Sequence, residues 1–201
     1  MKRSQWIVLL VSTISAGTAA VACKAGGVGD PCIPEDEYTS TFSGFGEAEA
    51  NVESRSFQCE TRVCIANHFR GRVSCPYGQT LDPKTKALTS PAGPCNIPSS
   101  TDQVAVDVDA QLMNRRAETT VYCSCRCEGP DKNAVYCECP SGYSCLPLVP
   151  DLNLGQAQLV GKYCLKNGTE YSGQATGGSC VSSAGNCPSD TAKDSHMNPG
   201  I

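Results

Sequence analysis

Apolar and polar residues alternate along this chain in short, scattered runs, and only one apolar stretch is long. That stretch, residues 6–14, follows Lys2 and Arg3 and gives way to the small residues of 16–22. A positive start, an apolar centre and a small-residue exit are the layout of a secretory signal, too short to persist as a membrane-spanning helix. Farther along, residues 48–53 alternate small or apolar with polar side chains, as a half-buried strand does. Residues 62–65 and 72–75 flank 67–71 and predict a hairpin whose loop ends in Gly71. Val104, Val106 and Val108 alternate with Ala105, Asp107 and Asp109, the clearest period-two run in the chain. Residues 155–160, with their flanking leucines, are the one place that invites a helix. The polar tail after Cys187, with Pro188 and Pro199, predicts disorder.

Composition sharpens this picture. Val, Leu, Ile and Phe together number 36 of 201 residues, and seven of those lie before Cys23. So thin a core struggles against an ordering entropy of about 1.5 kcal/mol per residue. The 15 cysteines supply the missing constraint, and in an exported chain they read as a disulfide scaffold. The expected fold class is therefore small and disulfide-rich, mostly β-hairpins and irregular loops with little helix. The net charge of −4 becomes −6 without Lys2 and Arg3. An acidic surface repels phosphate backbones, which argues against a nucleic-acid partner.

Parity selects between two readings of the cleavage site. Ala20-Val21-Ala22-Cys23 resembles the lipobox of lipoprotein signal peptidase, and Ala20 and Ala22 also satisfy an ordinary A-x-A exit. A free Cys23 would leave an odd thiol in an oxidising compartment. A Cys23 carrying diacylglycerol leaves an even set of fourteen. Cys23 is thus the expected lipid-attachment residue, its acyl chains (palmitate among them) making a stable membrane anchor. Lys24 stands where Asp would signal retention in the inner membrane, so the lipobox resemblance implies the outer membrane. The domain expectation is a signal peptide over 1–22, a lipid-anchored flexible glycine-rich tether over 23–31, one stapled domain over 32–187 and a disordered tail over 188–201.

The fourteen cysteines form three groups. Cys32, Cys59, Cys64, Cys75 and Cys95 are the first. Cys123, Cys125, Cys127, Cys137, Cys139, Cys145 and Cys164 are the second, and Cys180 with Cys187 the third. If the last pair closes its own loop, both other groups are odd, and at least one bridge must join them. Within the second group, Cys123, Cys125 and Cys127 share one face of a strand, as do Cys137 and Cys139, with turn formers at 128–133 between them. An antiparallel register that opposes Cys127 to Cys137 also opposes Cys125 to Cys139. Two readings stay open: a pair of cross-strand bridges in that hairpin, or cysteines that reach out to other segments.

Chemistry-bearing motifs are few. The C-x-C spacings would suggest thiolate metal sites in a cytosolic chain, but the leader points to a compartment where thiols become bridges. Residues 107–111 offer alternate acids, yet Leu112 stands where a calcium loop needs Gly. No metal or other cofactor is expected. His196 lies in the tail, and His68 sits in a loop beside Arg70 and Arg72. No G-x-S-x-G, H-E-x-x-H or P-loop occurs, so no catalytic set is expected. Residues 137–143 resemble the end of an epidermal-growth-factor-like module, but Cys145 follows too soon, and calcium binding is not carried over. Asn167-Gly168-Thr169 matches a glycosylation sequon and reads as a polar turn.

The lipobox, Gly29-Asp-Pro-Cys32, Glu53-Ser-Arg-Ser-Phe-Gln-Cys59-Glu-Thr-Arg-Val-Cys64 and Gly71-Arg-Val-Ser-Cys-Pro-Tyr77 together resemble cysteine-rich lipoproteins of the myxobacterial type, over Cys32 to about Cys164. That group has no assigned activity, so the resemblance implies a location and no mechanism. The leading expectation is an extracytoplasmic binding or structural module of the cell envelope, held to the membrane through Cys23, with an envelope protein or glycan as partner. The alternatives are a small envelope enzyme centred on His68 and a protease-inhibitor-like module on a stapled loop.

Overall fold

The computed structural model describes residues 26–149, 159–174, 177–184 and 187. The leader, Cys23, residues 155–158 of the helix expected over 155–160 and the tail after Cys187 lie outside the described residues, and residues 159 and 160 are not helical.

The organising element is a three-stranded antiparallel sheet in which β2 (Val63–Asn67) lies between β1 (Ala50–Glu53) and β5 (Val121–Ser124). The expected strand over 48–53 is thus present as β1. Side chains alternate across a strand, and here the alternation divides two cores. Cys64 and Ala66 of β2 and Val121 and Cys123 of β5 pack on one face with Cys32, Phe45, Cys59 and Phe69. Ile65 and Tyr122, one residue out of phase, pack on the other face with Leu148, Tyr163 and Leu165. Because both faces of β2 are covered, its sequence reads as a nearly continuous small and apolar run.

The second face is covered by a further antiparallel sheet, in which β8 (Gly161–Lys166) lies between β6 (Arg126–Glu128) and β7 (Tyr143–Val149). β5 and β6 are separated by Cys125 alone, whose carbonyl accepts from Cys164 N at 3.1 Å, so one stretch of chain serves both sheets. A short ribbon of β3 (Thr80–Leu81) and β4 (Leu88–Thr89) tops a third, small core of Cys75, Cys95, Val104 and Val108. One α-helical turn, α1 (Ala117–Thr120), and two short 3-10 turns complete the described elements. The fold is small, disulfide-rich and mostly strand and loop, as the composition implies.

Seven bridges pair the fourteen cysteines: Cys32–Cys64, Cys59–Cys123, Cys75–Cys95, Cys125–Cys137, Cys127–Cys145, Cys139–Cys164 and Cys180–Cys187. The last pair closes its own loop, and Cys59–Cys123 joins the first group to the second, as parity requires. The double cross-strand pairing of Cys127 with Cys137 and Cys125 with Cys139 is not formed. Residues 137–140 form no strand: Cys137 N donates to Arg126 O at 3.2 Å, but its sulfur is bridged to Cys125 and that of Cys139 to Cys164 on β8, which shifts the pairing out of the expected register.

Three further expectations are corrected. The hairpin of 62–65 with 72–75 does not form, since both edges of β2 are taken by β1 and β5. Gly71 instead exchanges backbone hydrogen bonds with Phe45 at 2.9 Å each, at a φ of 87° and with Asp109 O where a Cβ would stand, a position that only glycine fits. The period-two run at 104–108 buries Val104 and Val108 as the alternation implies, but it is not a strand. It is tied down piecemeal, by Gln79 to Val108 and by the Gln79 side chain to the carbonyls of Val104 and Val106. The glycine-rich segment expected as a flexible tether is part of the fold from Gly26 onward. Gly26 N donates to Gln58 O, Glu60 N to Gly26 O, Gly29 N to Cys123 O and Cys123 N to Asp30 O, each at 2.8 Å.

Candidate functional site

Three places gather polar or exposed groups: a cleft beside the third core, the surroundings of His68, and the surface around Gly26.

The cleft is built by two chain segments that face each other. Gln79 and Val108 exchange backbone hydrogen bonds at 2.9 Å, and Gln111 N donates to Pro76 O at 2.9 Å. Gly78, at a φ of 69°, lets the backbone pass close to Val108 O and Ala110 N. The result is a cavity of about 450 Å³ lined by Tyr77, Gln79, Thr80, Thr89, Asp107 and Asp109 among others. Asp107 Oδ1 accepts from Leu81 N at 2.6 Å, and Tyr77 Oη donates to Cys187 O at 2.8 Å, so both side chains are held in place. The Gln79 amide is fully engaged, donating to two carbonyls and accepting from Cys95 N at 3.3 Å. Hydroxyls, carboxylates and one aromatic ring suit a small polar ligand. The lining contains no histidine or cysteine.

His68 lies just after β2 with a φ of 49°. Its Nδ1 meets the carbonyl of Glu47 at 3.1 Å, which requires the proton on that nitrogen. The ring stacks on Tyr171 at a centroid distance of 3.9 Å and an interplanar angle of 11°. Behind them, the buried Arg115 donates to the carbonyls of His68 at 2.7 Å, Asn67 at 2.8 Å and Thr169 at 3.1 Å, and lies 5.4 Å from the Tyr171 ring. Burial, reinforced by the Arg115 charge, holds His68 below the ordinary imidazole range, against the hydrogen bond to Glu47. Neither described cavity includes His68 in its lining. The arrangement locks the end of β2 to the loop after β8. Composition gave no sign of Arg115 or Tyr171, which are far from His68 in sequence.

Among the described residues, three sets of sulfurs lie within 4.8 Å of one another: Cys32, Cys59, Cys123; Cys125, Cys137, Cys164; and Cys127, Cys139, Cys164. Each sulfur belongs to a bridge, so these are stacked cystines, not thiolate ligand sets. The bridges around residues 125–139 also frame the loop that an inhibitor would use. Residues 130–135 are exposed, with Val135 fully so, but the Asp131 side chain closes a turn by accepting from Asn133 N at 2.9 Å.

Around Gly26 the surface carries Arg55, Phe57, Gln58, Glu60, Thr61 and Arg62, all exposed. Phe57 is 82% exposed, with the Arg62 guanidinium 4.5 Å from its ring centroid. Among the described residues no helix is long and apolar enough to cross a membrane. Compared with protein-family models, curated proteins and solved structures, the chain shows no match.

Proposed function

We propose that this chain is a cell-envelope lipoprotein, anchored through Cys23, whose disulfide-stapled extracytoplasmic domain serves as a binding or structural module. One observation carries the reading. All fourteen cysteines from Cys32 to Cys187 are paired, which leaves Cys23 as the one cysteine without a disulfide role. A lone exposed thiol is a liability in an oxidising compartment, whereas a thioether to diacylglycerol removes it. The bridges themselves accord with export, since such a set does not persist in a reducing cytosol.

The binding half of the proposal rests on the cleft between 77–80 and 107–110. Its polar lining fits a hydroxyl-rich ligand such as an envelope glycan. The outer membrane is the proposed location, by the residue at position 24.

Intact mass of the mature protein, before and after reduction, tests the anchor and the staples together. The expected result is a chain beginning at residue 23 with the mass of its acyl groups, gaining about 14 Da on reduction, two hydrogens for each bridge. An unacylated mature chain overturns the proposal. Saturation-transfer NMR with soluble peptidoglycan and lipopolysaccharide-core fragments, repeated on Asp109→Asn, tests the cleft. The expected result is contact that weakens in the variant.

A further inference from the structure

The chain enters the fold almost at its anchor. Gly26 lies against Gln58, Cys59 and Glu60, and Cys59 is bridged to Cys123, whose backbone is bonded to Gly29 and Asp30. Asp30 Oδ2 in turn accepts from Gly27 N at 2.8 Å. From residue 26 on, the path is therefore fixed to the covalently stapled centre of the molecule. Cys23 precedes Gly26 by three residues. Three residues of even fully extended chain span only about 11 Å. An acylated Cys23 must sit at the glycerol level of a bilayer, so the surface around Gly26 is held within reach of the headgroups.

That surface carries the kind of side chains that such a position favours. Phe57, next to Gln58, is the most exposed aromatic among the described residues, and it belongs to none of the three cores. A phenyl ring left in water forgoes the stabilisation that burial would contribute. Arg62 lies over its ring, and Arg55 is exposed two residues before it. Arginine keeps its charged head at phosphate level while its stem lies along apolar surface. Two acids share the region: Asp30, bonded to Gly27 N, and the exposed Glu60. Arg55 and Arg62 equal these two acids in number, in a chain that is otherwise acidic.

We propose that Phe57 and Arg62 form a membrane-contact face. The Phe57 ring enters the interfacial layer of the bilayer that holds Cys23, and Arg62 meets lipid phosphate. The inference rests on the lipoprotein reading. It replaces the picture of a domain swinging on a flexible leash with one seated on the lipid in a fixed orientation.

The test uses fluorescence. The only tryptophan, Trp6, lies in the leader, so the mature chain has none. Full-length precursors carrying Phe57→Trp, or as a control Lys84→Trp in the exposed turn after β3, are expressed in bacteria. The mature proteins are weighed and reconstituted in phosphatidylethanolamine–phosphatidylglycerol vesicles with and without brominated acyl chains. Expected is an acylated protein in which the F57W indole emits blue-shifted by about 10 nm and is quenched at least about two-fold more than the K84W indole. Adding Arg62→Glu should reduce both effects. Acylated protein with the F57W indole as solvated as that of K84W overturns the contact face while leaving the anchor, and assigns Phe57 to a protein partner. A mature mass without acyl chains overturns the anchor reading and the face with it.

Discussion

Cys64 and Cys123 stand directly opposite each other across β2 and β5, yet neither is bonded to the other. Cys64 is bridged to Cys32 and Cys123 to Cys59. The same holds across β7 and β8, where Cys145 and Cys164 are opposed but bridged to Cys127 and Cys139. In both ladders the opposed sulfurs share one face and reach outward to irregular segments or a neighbouring strand. Hydrogen bonds hold strand to strand, and disulfides hold what surrounds each ladder to it.

Disulfide mapping without reduction should therefore link the Cys59 peptide to Cys123 and the Cys32 peptide to Cys64. A Cys64–Cys123 or Cys125–Cys139 peptide would contradict the arrangement. Removing Cys59–Cys123 by double Ala substitution opens a loop of separation 64. The expected loss is about 4 kcal/mol, against about 2.5 kcal/mol for Cys180–Cys187 at separation 7, by loop-closure entropy. Urea titration of the two variants ranks them.

How much of this was legible beforehand follows from which constraints are local. β1 was legible because its alternation is set by one face of one sheet. The joining bridge was legible because parity is independent of geometry. The pairings were not, because they depend on which segments lie over each sheet. The predicted hairpin at 62–75 failed for a similar reason: its strand signal in Val63–Asn67 was real, but two distant segments compete for the same edges and win. Phe57, the cleft beside Tyr77 and the Arg115–Tyr171 clamp on His68 all depend on contacts between residues far apart in sequence, which no spacing rule exposes.

Glu37 and Arg72 form a fully buried pair, with the guanidinium Nε 3.9 Å from Glu37 Oε2. The carboxylate accepts from Val73 N and, at 3.0 Å, from Ser74 N, while Arg72 donates to the carbonyls of Glu37, Thr39 and Phe42. Burial raises the Glu37 carboxyl above its ordinary range, against the opposing pull of those donors and of Arg72. Breaking such a pair strands the other charge. Arg72→Met should cost about 3–5 kcal/mol, read as a lower urea midpoint, and Arg72→Lys should not restore it, because one ammonium cannot reach all three carbonyls.

Tyr122 is buried in the second core, and its phenolic oxygen accepts from Lys166 N at 2.8 Å. Burial pushes its hydroxyl up to about 12. Ultraviolet titration of the folded protein should show a last tyrosine ionising well past the ordinary tyrosine midpoint near pH 10. Tyr122→Phe should remove that late step, leaving the Lys166 amide without its acceptor at a loss of about 1–2 kcal/mol.

His68 gives the protein a pH dependence whose sign can be worked out. Its folded-state pKa lies below the ordinary value near 6.5, chiefly through burial, so the unfolded chain takes up the proton first as pH falls. Stability should decline as pH drops below about 6.5, continue to fall until the folded-state midpoint is passed, and then level off as far as this residue is concerned. The neutral ring donates Nδ1–H to Glu47 O and stacks on Tyr171 with Arg115 close by, so a charge there is both desolvated and repelled. His68→Asn keeps a residue that tolerates the positive φ and removes the titration. Urea midpoints measured between about pH 7.5 and 5, a range that brackets the imidazole transition, should show a shallower acid slope in the variant, on a lower baseline for want of the ring stack. Two-dimensional NMR should place the wild-type midpoint below about 6.5, and a midpoint at or above that value would contradict the assigned packing.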